Sequence, residues 1–416
     1  MLGLGAKILG SLGYVFIYLF YYGGGDTISY YNSAIPFLNL IQQSPFIGIE
    51  VFFDGYSPEN FSFFSEKTGY PLMYIYIERN TALVSKIVVP FLFLSFKSYL
   101  LSSILIASTA YLCSWKLFQL FRNLVPSGER IAAFSTLFFP SALFWGSGIS
   151  KDTVTYASMC YVAYGIYWLV IKRRITPVVL FFSIVTAYFI LTIKAYIFIV
   201  LIPGALLWIF NASISEIRNR FIRLALVPFT LIVTILLISF VFTSLSDVLG
   251  DYSSDKIIQK AIVTQEDLKR DYYGGNSFDI GTIEPSTIGV LSKLPIALFY
   301  GFFGPTLVHV KNVVMLLSAF ENTFFLVLTL LIFVFRNPLR SIKRILDSPL
   351  LTFCLMFSVL LGFGIGLTTA NFGALVRFKI PLLPFFSMLL LTVYFKKETL
   401  DKPKTKHSSK PSENRP

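Results

Sequence analysis

The sequence predicts an all-α, polytopic transmembrane helix bundle of about ten spans, with two long extracytoplasmic loops that carry short interfacial helices. Three observations lead there. Of 416 residues, 55% are hydrophobic, 17% aromatic and only 14% charged, and the mean hydropathy is +0.70. So little polar surface could not coat a soluble domain. Apolar runs long enough to cross about 30 Å of hydrocarbon at about 1.5 Å per residue recur along the chain. Lysine and arginine, finally, concentrate in alternate connections, as the positive-inside rule requires.

The runs fall at 8–22, 99–121, 130–147, 153–171, 177–193, 195–210, 222–243, 312–335, 349–369 and 379–395. The first follows Lys7 and ends in aromatics and Gly23-Gly24-Gly25. It lacks a small-x-small cleavage pattern and reads as a retained span rather than a signal peptide. The runs at 177–193 and 195–210 are separated only by Lys194, and are either a tight hairpin or one kinked helix. Basic clusters on both flanks require an even number of crossings, which favours the hairpin.

Two connections are too long to be turns. The first, 23–98, opens with GGGDTISYYN, carries Glu50, Asp54, Glu59, Glu66 and Glu78, and closes on IVVPFLFLSF at 87–96. Ten apolar residues cannot span, so that piece is expected to lie in the interface or dip into the outer leaflet. The second, 244–311, is polar through DLKRDYYGGNSFD and turns apolar in LPIALFYGFFGP at 294–305. The Lys/Pro/Ser-rich tail at 396–416 is expected to be disordered. The chain thus reads as one bundle, 1–395, followed by that tail.

An inward N-terminus places Lys116, Arg122 and Arg130, then Lys172 to Arg174, then Arg218, Arg220 and Arg223, then Arg336, Arg340, Lys343 and Arg344 on one face, joined by Lys7 and the basic tail. Both termini are then cytoplasmic. The formal charge of +13 becomes a consequence of topology, and a nucleic-acid partner is not expected. Cys113, Cys160 and Cys354 lie in apolar runs, while His309 and His407 are far apart. That pattern suggests neither a disulfide framework nor a zinc or haem site, and no cofactor is expected.

Against this topology a few polar residues stand out. In FFPSALFWGSGISKDT, 138–153, an apolar run turns through two glycines and delivers Lys151 and Asp152 just before the next span. Ser150 or Asp152 could be a helix cap with Lys151 reaching the headgroups. Yet the macrodipole disfavours a cation at a helix N-terminus, whereas free N–H groups plus an ammonium suit a phosphate. Asp26, directly after the first span, is either an N-cap or a carboxylate at the membrane surface able to take a proton from an acceptor hydroxyl. Lys194 marks the hairpin or adds a phosphate contact. Arg377, in NFGALVRFKIPLLPF, is an outward arginine that invites an anionic partner, whereas Lys379 is expected to snorkel. Glu321 should face the bundle or a wet cavity, with Lys311 a possible structural partner. Tyr30, Tyr31 and Asn371 are candidates for acceptor or sugar contacts.

The early Asp26 after the first span, the long loop behind it, the PSALFWGSGISKD corner and the NFGALVRFKIPLLPF ending together resemble the GT-C superfamily of membrane glycosyltransferases. They also resemble O-antigen-polymerase-like proteins of bacterial polysaccharide loci. The resemblance implies transfer of a sugar from a polyprenyl-phosphate carrier to an acceptor on the outer face of a bacterial cytoplasmic membrane, within a polysaccharide assembly system. Asp26 would then be the base with Asp152 as its competitor, and Lys151, Lys194 and Arg377 would hold the lipid phosphate. The segments 87–96 and 294–305 would border the carrier chain. Many GT-C enzymes carry a second acid beside the first-loop aspartate, whereas the next acid here is Glu50. A polymerase or ligase, or a flippase for lipid-linked oligosaccharides, is the alternative.

Overall fold

The computed structural model describes residues 1–126, 128–215, 232, 236, 256–270, 277–311 and 313–395. Among these residues there are helices and no strand, with only two isolated bridges, Ser65 to Gly69 and Ser277 to Asn371. In chain order the helices are α1 Leu2–Phe16, α2 Asp26–Gln43, α3 Pro45–Phe53, α4 Pro58–Ser62, α5 Met73–Ile77, α6 Arg79–Leu94, α7 Tyr99–Leu124, α8 Glu129–Leu137, α9 Pro140–Trp145, α10 Lys151–Gly165, α11 Pro177–Ile193 and α12 Ala195–Ser215. There follow α13 Ile257–Leu268, α14 Thr287–Ser292, α15 Leu294–Phe303, α16 Val313–Phe333, α17 Pro338–Leu346, α18 Pro349–Thr368, α19 Phe372–Phe378 and α20 Leu383–Phe395.

Among the described residues six helices are long and apolar enough to cross a bilayer: Leu2–Tyr21, Tyr99–Leu124, Lys151–Ile171, Ala195–Ile214, Met315–Phe333 and Pro349–Thr368. The pair α19 and α20, bent by 74°, makes a seventh if it is one broken span. The expected helix at 379–395 therefore starts late. Pro381 lacks the N–H that a helix interior needs, and Pro384 suits a first turn. The expected run at 130–147 is likewise two pieces, α8 and α9, separated at Phe138 and Phe139 because Pro140 can begin a helix but not continue one. Helix α11 is apolar but only 17 residues long. At Lys194 the backbone leaves the helical region (φ −143°, ψ 73°), so α11 and α12 are two helices rather than one. The run at 222–243 falls outside the described residues except for Ile232 and Leu236, and the tail at 396–416 falls outside them entirely.

Two cores organise these elements. The larger runs through the bundle, with Leu117, Phe121, Phe353, Phe357 and Phe385 fully buried. The smaller belongs to the first long loop, which folds into its own helical layer. There Phe37 and Leu38 of α2 meet Val88 and Leu92 of α6, and Ile106, Ile149 and Ile193 join the layer to the bundle. The expected interfacial run at 87–96 is thus the C-terminal half of a longer helix with a packed face. The run at 294–305 also packs. Ala297 and Gly301 of α15 are buried against α18, and a Cβ built on Gly366 would sit 1.9 Å from the Ala297 carbonyl oxygen. Small residues bring the two backbones together, a common membrane-helix seam.

Lys7 is no flanking residue. The first span begins at Leu2, which puts Lys7 inside it at 3% exposure. Its Nζ donates to Ala142 O at 3.0 Å and lies 4.9 Å from the centre of the Tyr156 ring. Lys379 does not snorkel either. It is 1% exposed, with Nζ donating to Gly304 O at 2.7 Å and to Asn322 Oδ1. Both ammonium groups draw on carbonyl oxygens in place of water, as buried donors must. Glu321 does face the bundle, and its Oε2 accepts the Ser141 N–H at 3.1 Å.

Candidate functional site

The corner at 138–153 is built by local chemistry. Ser150 caps α10 by accepting the Thr153 N–H at 3.1 Å. With that duty met, the Asp152 carboxylate one residue inside the helix is available for tertiary contacts. Gly148 is required here by contact, because a Cβ on it would lie 2.0 Å from the Tyr14 ring of α1. The corner and the first span therefore touch face to face.

Asp152 is the hub. It is 2% exposed, and Lys194 Nζ donates to its Oδ1 at 2.5 Å. Arg377 Nε donates to its Oδ2 at 2.8 Å. Arg377 reaches further, with Nη2 at 3.6 Å from Asp26 Oδ2. Four predicted residues from four separate stretches of chain thus form one series: Lys194, Asp152, Arg377, Asp26. Their surroundings change along it. Lys194 is 8% exposed, Arg377 25% and Asp26 63%, measured on side chains, so the series runs from buried to open.

Asp26 stands as it does because of the three glycines before it. Gly23, Gly24 and Gly25 have φ of 65°, 147° and 112°, conformations that side chains resist. Gly25 is the N-cap of α2, and no side-chain bond caps that helix. Asp26 at the first helical position is therefore not the cap, and its carboxylate faces Arg377.

Aromatic rings wall the cluster. Lys194 Nζ lies 4.4 Å from the centre of Phe378, and the Arg377 guanidinium lies 5.7 Å from that of Trp145. Tyr14 and Tyr18 pack at a tilt with centroids 4.5 Å apart, and a Cβ on Gly25 would be 3.1 Å from Tyr18. Cation–π contacts of this kind contribute about 0.5–2 kcal/mol each. The sequence reading missed these walls. The i, i+4 spacing of Tyr14 and Tyr18 on a span that ends at the glycines was their one signal.

Lys151, the first residue of α10, pairs with no acid among the described residues. Together with Lys194 and Lys260 it lines a cavity of about 630 Å³. The rest of the lining is mostly apolar and comes chiefly from α12, α13 and α18, with Val200, Pro203, Leu361, Phe363 and Leu367 among its residues. Neither 87–96 nor 294–305 contributes to the lining of this cavity. Asp26, Asp152 and Arg377 do not line it either, and Asp152 is joined to it through its bond to Lys194.

Three further candidates have other uses. Tyr30 is 4% exposed, in the core of the first-loop layer. Tyr31 donates its hydroxyl to Lys97 O at 2.6 Å, tying α2 to the end of α6. Asn371 caps α19, its Oδ1 accepting from Gly373 N at 2.8 Å and Ala374 N at 3.3 Å. These contacts give each of the three a structural use. Among the described residues no three His, Cys, Asp or Glu side chains gather in metal-binding fashion.

Chemically, the arrangement offers lysine ammonium groups in the wall of a mostly apolar cavity, an arginine that shares Asp152 with one of them, and an open carboxylate beyond. Asp152 has both oxygens committed to cations and acts as their orienting partner. Neither a family model, nor a curated protein, nor a solved structure matches the chain.

Proposed function

We propose that the chain is an integral membrane glycosyltransferase that moves a sugar from a polyprenyl-phosphate donor to an acceptor on the extracytoplasmic face, in cell-surface polysaccharide or glycolipid synthesis. The observation that carries this reading is the junction of cations and apolar cavity. Lys151, Lys194 and Lys260 line an otherwise mostly apolar space of about 630 Å³, which suits a ligand with a phosphate head and a hydrocarbon tail. The ten-span topology belongs to the same proposal. It adds the broken segment α8 and α9, the short α11 and the run at 222–243 to the spans already described, and it puts both termini in the cytoplasm.

In this reading the carrier chain enters the cavity and its phosphate meets Lys151 and Lys194. The sugar extends over Arg377 towards Asp26. The acceptor hydroxyl gives its proton to Asp26 while its oxygen bonds to the anomeric carbon. The bond from that carbon to the phosphate oxygen breaks, and the phosphate leaves with the electron pair. Lys151, Lys194 and Arg377 stabilise the charge that develops there. Asp152 sets the positions of Lys194 and Arg377 and is not the base.

The test is direct. Farnesyl phosphate should raise the melting temperature of the protein and farnesol should not. Lys151→Ala and Arg377→Ala should weaken that response, while Asp26→Asn should retain it and lose sugar transfer. Equal responses to the phosphate and the alcohol would sink the reading. The product separates the two enzymatic versions, since a polymerase gives a ladder of lengths and a transferase one increment.

A second reading, a flippase for lipid-linked oligosaccharides, is favoured by one observation. Lys7, Lys379 and Glu321 are charged groups buried within the bundle beside the broken segments α8/α9 and α19/α20, a combination found along transport paths. Translocation of a lipid-linked sugar without its transfer would decide for it.

A further inference from the structure

Far from the site, in sequence and along the last span, α17 forms a nine-residue link between α16 and α18. Its sequence, PLRSIKRIL, separates into faces. Ser341 and Ile345 are buried against the bundle. Leu339, Ile342 and Leu346 are exposed, at 75%, 44% and 62%, and Phe335 just before the helix is 75% exposed. Residues three and four apart share a helix face, so these leucines and the isoleucine make one apolar stripe that no element among the described residues covers.

Four basic side chains flank the stripe, and they divide by function. Arg336 donates to Tyr394 O at 2.6 Å and Arg344 to Val393 O at 2.8 Å. These two satisfy carbonyls at the C-terminal end of α20, where cations are favoured. Arg340 and Lys343 are exposed and hold no such carbonyl. The depth of the helix is marked independently. The Arg336 guanidinium lies 4.2 Å from the centre of Tyr394, and Tyr394 meets the exposed Phe395 edge-on, an aromatic pair suited to the membrane–water boundary.

An apolar stripe at that depth, with two unspent cations one turn apart beside it, has a definite complement. We propose that α17 lies in the membrane interface and binds the phosphate of an anionic phospholipid through Arg340 and Lys343, with Leu339, Ile342 and Leu346 among the acyl chains. The match is one of charge and apolarity together. It does not depend on the chemistry at Asp152 or on which side of the membrane α17 faces.

The experiment uses the full chain purified in a neutral detergent, with phosphatidylglycerol or phosphatidylcholine titrated in and thermal unfolding followed. Phosphatidylglycerol should raise the midpoint and phosphatidylcholine should not. The double variant Arg340→Gln, Lys343→Gln should unfold normally without lipid and require roughly thirty-fold more phosphatidylglycerol, as two surface cations imply. Neutralising Arg173 and Arg174 in the connection before α11 should leave the response in place. Equal effects of the two lipids, or an unchanged response in the α17 double variant, would overturn the proposal. So would an equal loss in the Arg173/Arg174 variant, which would show attraction by net charge alone.

Discussion

Replacing Asp152 by Asn strikes the most buried charge in the cluster, and its consequences can be worked from the geometry. The carboxylate is 2% exposed and neutralises Lys194, itself 8% exposed, across 2.5 Å. Asn preserves shape and removes the charge, leaving an ammonium in a nearly dry setting. Breaking one side of such a buried pair costs about 3–5 kcal/mol. The ring of Phe378 at 4.4 Å offsets about 1–2 kcal/mol of the uncompensated charge at most. Arg377 contributes less to the penalty, because it is 25% exposed and has Asp26 as a second carboxylate within reach. Asp152→Asn should therefore lower stability by about 2–4 kcal/mol, which corresponds to on the order of 4 °C in melting temperature for a chain of this length. The assay is thermal unfolding in detergent, run as a double-mutant cycle with Lys194→Met. Met fills the space of the lysine stem without its charge, so Asp152→Asn with Lys194→Met should be more stable than Asp152→Asn alone. If adding Lys194→Met lowers stability further by its full single-mutant effect, or if Asp152→Asn is no worse than the exposed Asp26→Asn, the reasoning about a buried hub is wrong.

Three more outcomes follow from other parts of the molecule. Gly366→Ala places a methyl 1.9 Å from a backbone carbonyl of α15, so the α15 and α18 seam must open. A loss of about 1–3 kcal/mol is expected in the same melts, against no loss for Gly364→Ala, where the added methyl meets open space. At the site, Asp26→Asn should leave the melting temperature within about 0.5 kcal/mol of the parent, as exposed positions do, while abolishing sugar transfer; transfer at parental rate would remove Asp26 as the base. In the first-loop layer, burial lowers the Lys86 ammonium to about 8 while Asp54 opposes that shift. Between that value and the unfolded lysine value of about 10.4 the unfolded chain holds more protons, so the penalty carried by Lys86 is full below pH 8 and fades as pH rises. Lys86→Met should flatten this rise in stability between pH 8 and 10, as read by amide exchange within α2 and α6.

Part of the site was legible because charge at the ends of apolar runs is conspicuous one residue at a time. Asp26, Lys151, Asp152, Lys194 and Arg377 could each be singled out in that way, and the glycines before Asp26 announced a backbone turn that they do make. Asn371 and Tyr31 have backbone duties that the sequence does not reveal. A polar residue at a span mouth can serve a ligand or the backbone, and composition does not distinguish a cap from a contact. Lys7 and Lys379 were placed at the membrane surface because a run of apolar residues shows where hydrocarbon begins but not which neighbours can supply carbonyl oxygens inside it.

The sequence by itself determined that the chain is a membrane-spanning helical protein, because apolar periodicity and the distribution of lysine and arginine are local properties that survive without coordinates. It also determined which charged residues required an explanation. Only the tertiary structure decided that Asp152 binds Lys194 and Arg377, residues 42 and 225 positions away, or that the apolar space lies between α12, α13 and α18. Partners so distant in sequence are chosen by how helices pack, and packing depends on where proline breaks a span and where glycine lets two backbones meet. The oddly placed Lys151 and Asp152 of the 138–153 corner thereby acquire separate uses: one lines a cavity, and the other holds two cations in place.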